Sequence, residues 1–384
     1  MSKDNKYIPS GYKPSPLGPI PEDWEVKRLG EICTHFKSGI TITSKDIHED
    51  GLYPVYGGNG LRGYANTFTH DGSYILIGRQ GALCGNVNYV DGKNYISEHA
   101  IAVQTNENMQ WLKYKLENWN LNRFSESSAQ PGLSVEKLVR YKLSVPTLKE
   151  QNKIADILSL WDAAIAKQTA LIEQLTLRKR GLMQQLLTGK KRLKGSEGGN
   201  FHRLGNYISE CNRRNAGCNR VLSVTNTKGF ILQEEQFDKI VASNDTSNYK
   251  VVRRGEFAYN PSRVNVGSLA MLNDYDEGIL SPMYIVFKAN ENIDKTYLLQ
   301  CLQSWWFRGH IPAYTQGSVR DSLSFDGLCS MKFYIPTLQE QKAISSILER
   351  ADKEIEIQKQ KLAAMQEQKK GLMQVLLTGK KRIK

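Results

Sequence analysis

P-T-L-K-E-Q at residues 146–151 and P-T-L-Q-E-Q at residues 336–341 open two copies of one long segment, and both close on L-L-T-G-K-K-R, at residues 186–192 and 376–382. Aligned without a gap, residues 143–194 match residues 333–384 at 24 of 52 positions, at an offset of 190 residues. A repeat of about half the chain sets the architecture before any single element does. Each copy carries its own start and stop. Thr147 with Glu150, and Thr337 with Glu340, fit the capping box, in which hydroxyl and carboxylate satisfy the free N–H groups of a helix start. Pro146 and Pro336 precede the cap, where no N–H is missed. Gly189 and Gly379 suit the left-handed residue that ends a helix, and the basic residues beyond them suit its negative end. Roughly 38 proline-free residues lie between, enough for a helix about 57 Å long.

The apolar stripe has coiled-coil spacing. In the first copy it runs Ile154, Ile157, Leu158, Trp161, Ile165, Leu171, Ile172, Leu175, Leu182 and Leu186. In the second it runs Ile344, Ile347, Leu348, Ala351, Ile355, Leu362, Met365, Leu372 and Leu376. Steps of three and four put these residues along one seam. Gln168 and Gln358 interrupt it at equivalent positions, as a register-fixing polar residue does. So long a seam needs a mate, and its twin is the obvious one; the alternative is two long helices in one core.

At 384 residues the chain is too long for one ordinary core. The expected division is an extended arm (1–26), a first globular domain (27–145), a long helix (146–190), a linker (191–202), a second globular domain (203–335) and a second long helix (336–384). The arm is proline-rich and carries Trp24 as its packing residue. The linker includes G-S-E-G-G-N at residues 195–200, a flexible composition. No run of 18 apolar residues exists, so no membrane span is expected, and the N-terminus lacks an apolar signal region. The six cysteines form no C-x-x-C pair, which favours free thiols in a reducing cytoplasm.

The net charge of +13 is unevenly placed. Residues 143–202 and 333–384 carry +5 each, while residues 27–142 and 203–332 carry +2 each. A basic chain points to a polyanionic partner, although charge at helix ends also complements the dipole.

The first globular domain reads as α+β. S-Y-I-L-I-G-R-Q-G-A-L-C-G-N-V (73–87) is strand, glycine-rich turn, strand; I-S-E-H-A-I-A-V (96–103) is another strand; residues 110–124 have helical spacing. Gly57, Gly58, Gly60 and Gly63 allow a loop to approach a ligand closely, but no Walker motif is present. The second domain repeats the scheme. R-L-G recurs at 203–205, G-E-F-A-Y (255–259) matches G-S-Y-I-L (72–76), and L-S-P-M-Y-I-V-F (280–287) matches I-S-E-H-A-I-A-V. Its polar loops hardly match. One scaffold with different loops is what two different readouts need. No cofactor fingerprint or H-E-x-x-H appears, and N-P-S-R at 260–263 lacks the second proline and the aromatic of the adenine-methyltransferase motif. No metal ligand set or catalytic group is assigned.

Together these features resemble the specificity (HsdS) subunit of type I restriction-modification systems. The resemblance rests on P-L-G-P-I-P-E-D-W-E-V-K-R-L-G-E-I (16–32), the two P-T-L-x-E-Q helix starts, the twin G-L-M-Q-x-L-L-T-G-K-K-R ends, and the two divergent domains between them. It implies two target recognition domains, each reading one half of a bipartite site in double-stranded DNA. The long helices would pair as an antiparallel coiled coil, in a pseudo-two-fold internal repeat, setting the spacer and docking the partners. Two modification (methyltransferase) subunits would bring S-adenosylmethionine, and restriction/translocase subunits ATP and Mg. This chain would have no active site. The rival is a stand-alone DNA methyltransferase or nuclease.

Base edges in the major groove are read by Arg, Asn and Gln, and phosphates are held by Lys and Ser. The DNA-contact candidates in the first domain are Lys37, Ser38, Thr41, Tyr56, Asn59, Arg62, Arg79, Gln80, Ser128 and Gln130. In the second they are Arg213, Arg214, Asn226, Lys228, Asn260, Arg263, Asn265, Tyr314, Gln316, Ser318 and Arg320. The seam is expected to be held by Ile154, Leu158, Trp161, Ile165, Gln168, Ile172, Leu175 and Leu182 against Ile344, Leu348, Ile355, Gln358, Leu362, Met365 and Leu372.

Overall fold

The computed structural model describes residues 8–81, 83–125, 132–236, 245–315 and 322–383. The chain forms two compact units. Unit 1 comprises residues 1–169 and 360–384, and unit 2 residues 170–359. The two long helices, Leu148–Leu186 and Leu338–Leu376, are 39 residues each, and each gives one half to either unit.

Unit 1 is built on a four-stranded antiparallel sheet in the order Cys33–Ser38, Ala100–Thr105, Tyr74–Gly78, Val87–Val90. Period-two alternation gives this sheet two apolar faces. Ile75, Ile77, Ile101 and Val103 pack with Trp111 and Leu112 of the helix Met109–Asn118. Tyr74, Leu76, Ala100 and Ala102 pack with Val90 and Ile96 on the other face. A three-stranded sheet, Gly60–Ala65, Tyr53–Gly57, Tyr95–Ile96, adjoins them. The pair Glu25–Arg28 and Lys142–Val145 leads into the first long helix.

Unit 2 repeats the frame. Its four-stranded sheet runs Ile208–Glu210, Ile285–Ala289, Phe257–Tyr259, Leu269–Met271, in the same order and antiparallel throughout. The helix Lys295–Gln303 stands where Met109–Asn118 stands, and the two are capped alike, by Asp294 on Tyr297 N and Asn108 on Trp111 N. Gly199–Arg203 pairs with Lys332–Pro336 before the second long helix. The hairpin of Leu222–Thr225 with Gly229–Leu232, bridged in parallel from Val221 to Ile279, stands for the 53–65 hairpin of unit 1, and Lys250–Arg253 pairs antiparallel with Glu277–Leu280.

Two readings from the sequence need correction. The run 96–103 is not one strand: Tyr95–Ile96 pairs in parallel with Tyr53–Gly57, and Ala100–Thr105 enters the four-stranded sheet, with a turn at Ser97–His99 between. The same break divides Glu277–Leu280 from Ile285–Ala289 in unit 2. The stretch 195–200 is also not all linker. Gly199 begins a strand, and a Cβ there would lie 2.2 Å from the Ile335 carbonyl oxygen, so this glycine serves close backbone approach.

Within each unit the helix halves run antiparallel. In unit 1 Arg382 pairs with Glu150 at 2.8 Å and Lys369 with Asp162 at 2.5 Å, so one number rises as the other falls. In unit 2 Lys179 pairs with Asp352 at 2.5 Å. The seam has two characters. Ile154 and Leu158, and likewise Ile344 and Leu348, are buried in the cores of their domains. Gln168 and Ile355 are buried as well, while Trp161, Ile165, Ile172, Leu175, Leu182, Gln358, Leu362, Met365 and Leu372 are half-buried. Leu171 is 43% exposed and leaves the seam, because the steps from Ile165 to Gln168 to Ile172 carry the stripe past it.

The helix starts use their signals in an unexpected way. Thr147 and Thr337 accept from the N–H groups of Glu150 and Glu340, each at 3.4 Å. The Glu150 carboxylate, however, accepts from Trp24 Nε1 (2.8 Å) and from Arg382 Nε and Nη2 (2.8 and 2.9 Å). The neighbouring glutamines tie helix to domain. Gln151 Nε2 donates to the Pro146 carbonyl at 3.0 Å while its Oε1 accepts from Asn108 N at 2.9 Å. Gln341 repeats this with Pro336 at 2.9 Å and Asp294 N at 2.7 Å. The arm forms a small hairpin, Tyr12–Lys13 with Ile20–Pro21, and buries Trp24 completely. Tyr12 Oη donates to the Gly379 carbonyl at 2.7 Å, so the arm clasps the end of the second long helix.

Candidate nucleic-acid interface

In unit 1 three loops converge at one end of the four-stranded sheet. The hairpin of Tyr53–Gly57 and Gly60–Ala65 turns at Gly58 and Asn59, with Gly60 in the left-handed region (φ 93°). The strand Tyr74–Gly78 ends in Arg79 and Gln80, and the turn Ser97–His99 lies beside it. Two glycines lock the loops together. A Cβ on Gly78 would meet the Gly58 carbonyl oxygen at 2.4 Å, and one on Gly58 would meet the His99 carbonyl oxygen at 2.9 Å. Arg79 N donates to that same His99 carbonyl at 2.9 Å.

Around this junction the side chains are polar. Gln80 Oε1 lies 3.2 Å from His99 Nδ1, and His99 Nε2 lies 3.2 Å from Glu98 Oε1. Asn59, Arg62 and Gln80 are exposed, and Arg79 is half-buried. A Cβ on Gly57 would meet Arg62 Cδ at 2.6 Å, which places the Arg62 stem against the hairpin. Lys37 and Ser38 close the edge strand, opposite Ala102 and Ile101. Thr41 follows; its carbonyl accepts from Tyr95 Oη at 3.0 Å, and burial raises the Tyr95 pKa. Tyr56 turns inward onto the Leu76 and Ala102 face and lends only its carbonyl, to Ser97 N at 2.8 Å. Ser128 and Gln130 lie outside the described residues.

The corresponding end of unit 2 carries different chemistry. Asn260 takes the place of Gly78 just after Phe257–Tyr259, its N–H donating to the Ser268 carbonyl as that of Gly78 does to Asn86, and its Nδ2 lies 3.5 Å from Met283 Sδ in the turn that replaces Glu98 and His99. Asn260 Oδ1 accepts from Ser262 N at 3.1 Å, setting a turn that presents Arg263 and Asn265 to solvent. A Cβ on Gly267 would sit 3.3 Å from both Asn226 Cβ and Arg308 Nη2, so the Asn226 and Lys228 hairpin turn, the 263–267 turn and Arg308 form one group. Tyr314 packs against the domain core. Arg213 and Arg214 are held elsewhere. The Arg213 guanidinium is engaged by the buried Glu256 carboxylate, which raises its pKa, and Arg214 Nη1 donates to the Asn248 carbonyl at 2.6 Å. Gln316, Ser318 and Arg320 lie outside the described residues.

Reading the sequence missed Glu98, His99, Met283 and Arg308. The first three were hidden inside runs taken as continuous strand; the polar triplet Ser97-Glu98-His99 was the available signal. Arg308 lies in the short helix Trp305–His310, with nothing in its local sequence to single it out. Exposed Arg, Asn, Gln and His side chains on glycine-pinned loops can donate to and accept from base edges, with Lys37 and Lys228 available to phosphates. Among the described residues no helix is long and apolar enough to cross a membrane.

Comparison with known proteins agrees with this geometry. The family model described as the type I restriction modification DNA specificity domain matches residues 21–177 and 227–367. The chain is 26% identical, over 95% of its length and 94% of the relative's, to the type I restriction enzyme MjaVIII specificity subunit of Methanocaldococcus jannaschii. It is 45% identical over 142 residues to the EcoprrI specificity subunit of Escherichia coli, a match that spans 35% of either chain. In fold it is similar to the S subunit of a type I restriction-modification system from M. genitalium (TM-score 0.58, 14% identity, 92% of this chain and 96% of that one). A second structure, solved to explain complex assembly and conformational transition of a type I system, gives a TM-score of 0.57 at 15% identity, over 94% of this chain and 99% of that one. With two family matches that fall on the two halves of its repeat, the chain belongs to the type I restriction modification DNA specificity family.

Proposed function

We propose that this chain is the DNA specificity subunit of a type I restriction-modification complex, in which each globular domain reads one half of a bipartite duplex site. The observation that carries the proposal is the doubled frame with unlike ends. At equivalent strand ends unit 1 carries Arg79, Gln80, Glu98 and His99, and unit 2 carries Asn260, Arg263, Met283 and their neighbours. A scaffold that keeps its strands and changes its donors and acceptors is suited to two different half-sites. The long helices join the readers and fix the number of unread base pairs between half-sites.

The chain contributes no catalysis of its own on this reading. Modification subunits would supply S-adenosylmethionine and flip the target base, at a cost of a few kcal/mol that the contacts to the duplex help offset. Restriction subunits would supply ATP-driven translocation with Mg. The test exchanges residues 27–145 for those of a relative and maps methylated motifs by long-read sequencing in a host that supplies the modification subunit. One half of the motif should change and the other remain. A change in both halves, or in neither, would refute the assignment.

A further inference from the structure

The two units repeat one frame, yet one groove is walled by the arm in unit 1 and lacks that wall in unit 2. In unit 1 the end of the second long helix, the residue after the helix Met109–Asn118 and the strand Lys142–Val145 meet at Thr378, Trp119 and Leu143. There Leu17, Pro19 and Ile20 of the arm form one wall of a smaller cleft of about 350 Å³. Ile20 is 3% exposed, Leu377 is fully buried, and Trp119 packs partly against the core. The equivalent residues of unit 2, by the 190-residue offset and by matched helix caps, are Thr188, Trp305, Phe333 and Leu187. They line a groove of about 500 Å³ together with Phe201. Trp305 is 82% exposed and Phe201 55% exposed.

Among the described residues no second arm lies there. Residues 191–198 run directly from the first long helix into Gly199–Arg203, held by Lys191 N on the Gln185 carbonyl (3.0 Å) and Ser196 N on the Leu193 carbonyl (3.1 Å). Only the floor is filled from within. A Cβ on Gly379 would meet Pro21 at 2.7 Å, whereas one on the equivalent Gly189 would meet the Tyr334 ring at 2.6 Å. Tyr334 stands where unit 1 has Ser144, so a larger core residue replaces the base of the arm, while its outer run has no counterpart among the described residues.

We propose that this groove binds an extended, proline-containing segment of a partner protein, an apolar run followed by carboxylates, as in the chain's own P-L-G-P-I-P-E-D at residues 16–23. Three observations fix that chemistry. The segment packed at the equivalent place in unit 1, with Ile20 buried and Pro21 against Gly379, is of this kind. Aromatic-lined grooves suit proline-rich extended chains, which lose little conformational entropy on docking. Arg180 and Lys190 border the groove and suit trailing carboxylates. The volume falls in the range of small binding clefts. The inference stands apart from DNA reading and needs no residue of the recognition loops.

The test uses the full chain and a fluorescent synthetic peptide of residues 8–24, with binding followed by anisotropy. We expect one-to-one binding that weakens about tenfold or more in Trp305→Ala, as for a central aromatic anchor. Trp305 is so exposed that this variant folds; Phe201→Ser is the second. A peptide with Leu17 and Ile20 both changed to Asp should not bind. The proposal is overturned by any of four results: no binding at about 1 mM peptide; equal binding by the Asp-substituted peptide; equal binding by Trp305→Ala and Phe201→Ser; or displacement of the peptide by a single-stranded oligonucleotide. Sedimentation separates one more occupant. A concentration-dependent dimer abolished by Trp305→Ala would make the occupant a second copy of this chain and would refute the partner.

Discussion

Lys115 gives the sharpest prediction. It sits in the helix Met109–Asn118, fully enclosed in the unit 1 core, and donates to Ser144 Oγ at 3.1 Å and to the Leu377 carbonyl at 2.5 Å. The second contact satisfies a carbonyl at the end of a long helix, and among the described residues no carboxylate pairs with the ammonium. Burial lowers its pKa from 10.5 to about 7. Between those values the unfolded chain holds a proton that the folded chain has released, so stability must rise with pH across the window. Below about pH 7 the lysine is charged in both states and the full burial cost is present; above about 10.5 it is neutral in both and that cost is gone. One proton over this window gives about 2 kcal/mol of added stability between pH 7 and pH 9. Lys115→Met removes the titration, though it also leaves the Leu377 carbonyl without its partner. The measurement is urea unfolding of both proteins at pH 6, 7, 8 and 9, taking the difference at each pH. The wild type should gain on the variant by about 2 kcal/mol from pH 7 to 9. Parallel pH profiles would refute the reasoning.

Three further outcomes follow from contacts described above. Trp24→Ala empties a completely buried indole site and takes a donor from Glu150; unit 1 should lose about 3–5 kcal/mol by chemical denaturation, and a loss under about 1 kcal/mol would be contrary. Arg382→Met leaves the buried Glu150 carboxylate with Trp24 Nε1 and a long contact from Ile383 N at 3.5 Å, and should cost about 3 kcal/mol. Asp23→Asn, at the exposed side of the same arginine, should cost under about 1 kcal/mol, and equal losses would contradict this division. Gly58→Ala pushes a methyl toward the His99 carbonyl and should displace the hairpin tip from Gln80. In methylation mapping only the half-motif read by the first domain should weaken, and an unchanged map would remove that junction from recognition.

The long helices were legible because their signals are local and repeated: a capping threonine, a stripe at steps of three and four, and a terminal glycine. The four-stranded sheets were partly legible, since Ile75 and Ile77 alternate with Tyr74 and Leu76 even in a strand apolar on both faces. The turn at Ser97–His99 was not, because an apolar run on both sides imitates one continuous strand, and only pairing with two different sheets breaks it. The use of Glu150 was hidden for a related reason. Its capping partner lies three residues away, but the donors it meets, Trp24 and Arg382, come from opposite ends of the sequence. Gly199 looked like slack, since composition cannot distinguish a glycine needed for freedom from one needed for closeness. Which polar loop residues converge depended on Gly58 meeting Gly78, a contact that neither local sequence discloses.

Gln151 and Gln341 join each long helix to a recognition domain chiefly through main-chain groups, with Gln151 Nε2 donating also to the Glu107 carboxylate at 2.7 Å. Each side chain grips a proline carbonyl on one side and, on the other, the amide of a helix-capping residue, Asn108 in one unit and Asp294 in the other. A joint made to an amide does not depend on the side chain that follows. An exchanged domain must bring a capped helix to that point, and in unit 1 an acceptor where Glu107 stands, whatever bases its loops read. Recombination between genes can thus renew a half-site in one step, with the joint to the scaffold intact from the first generation.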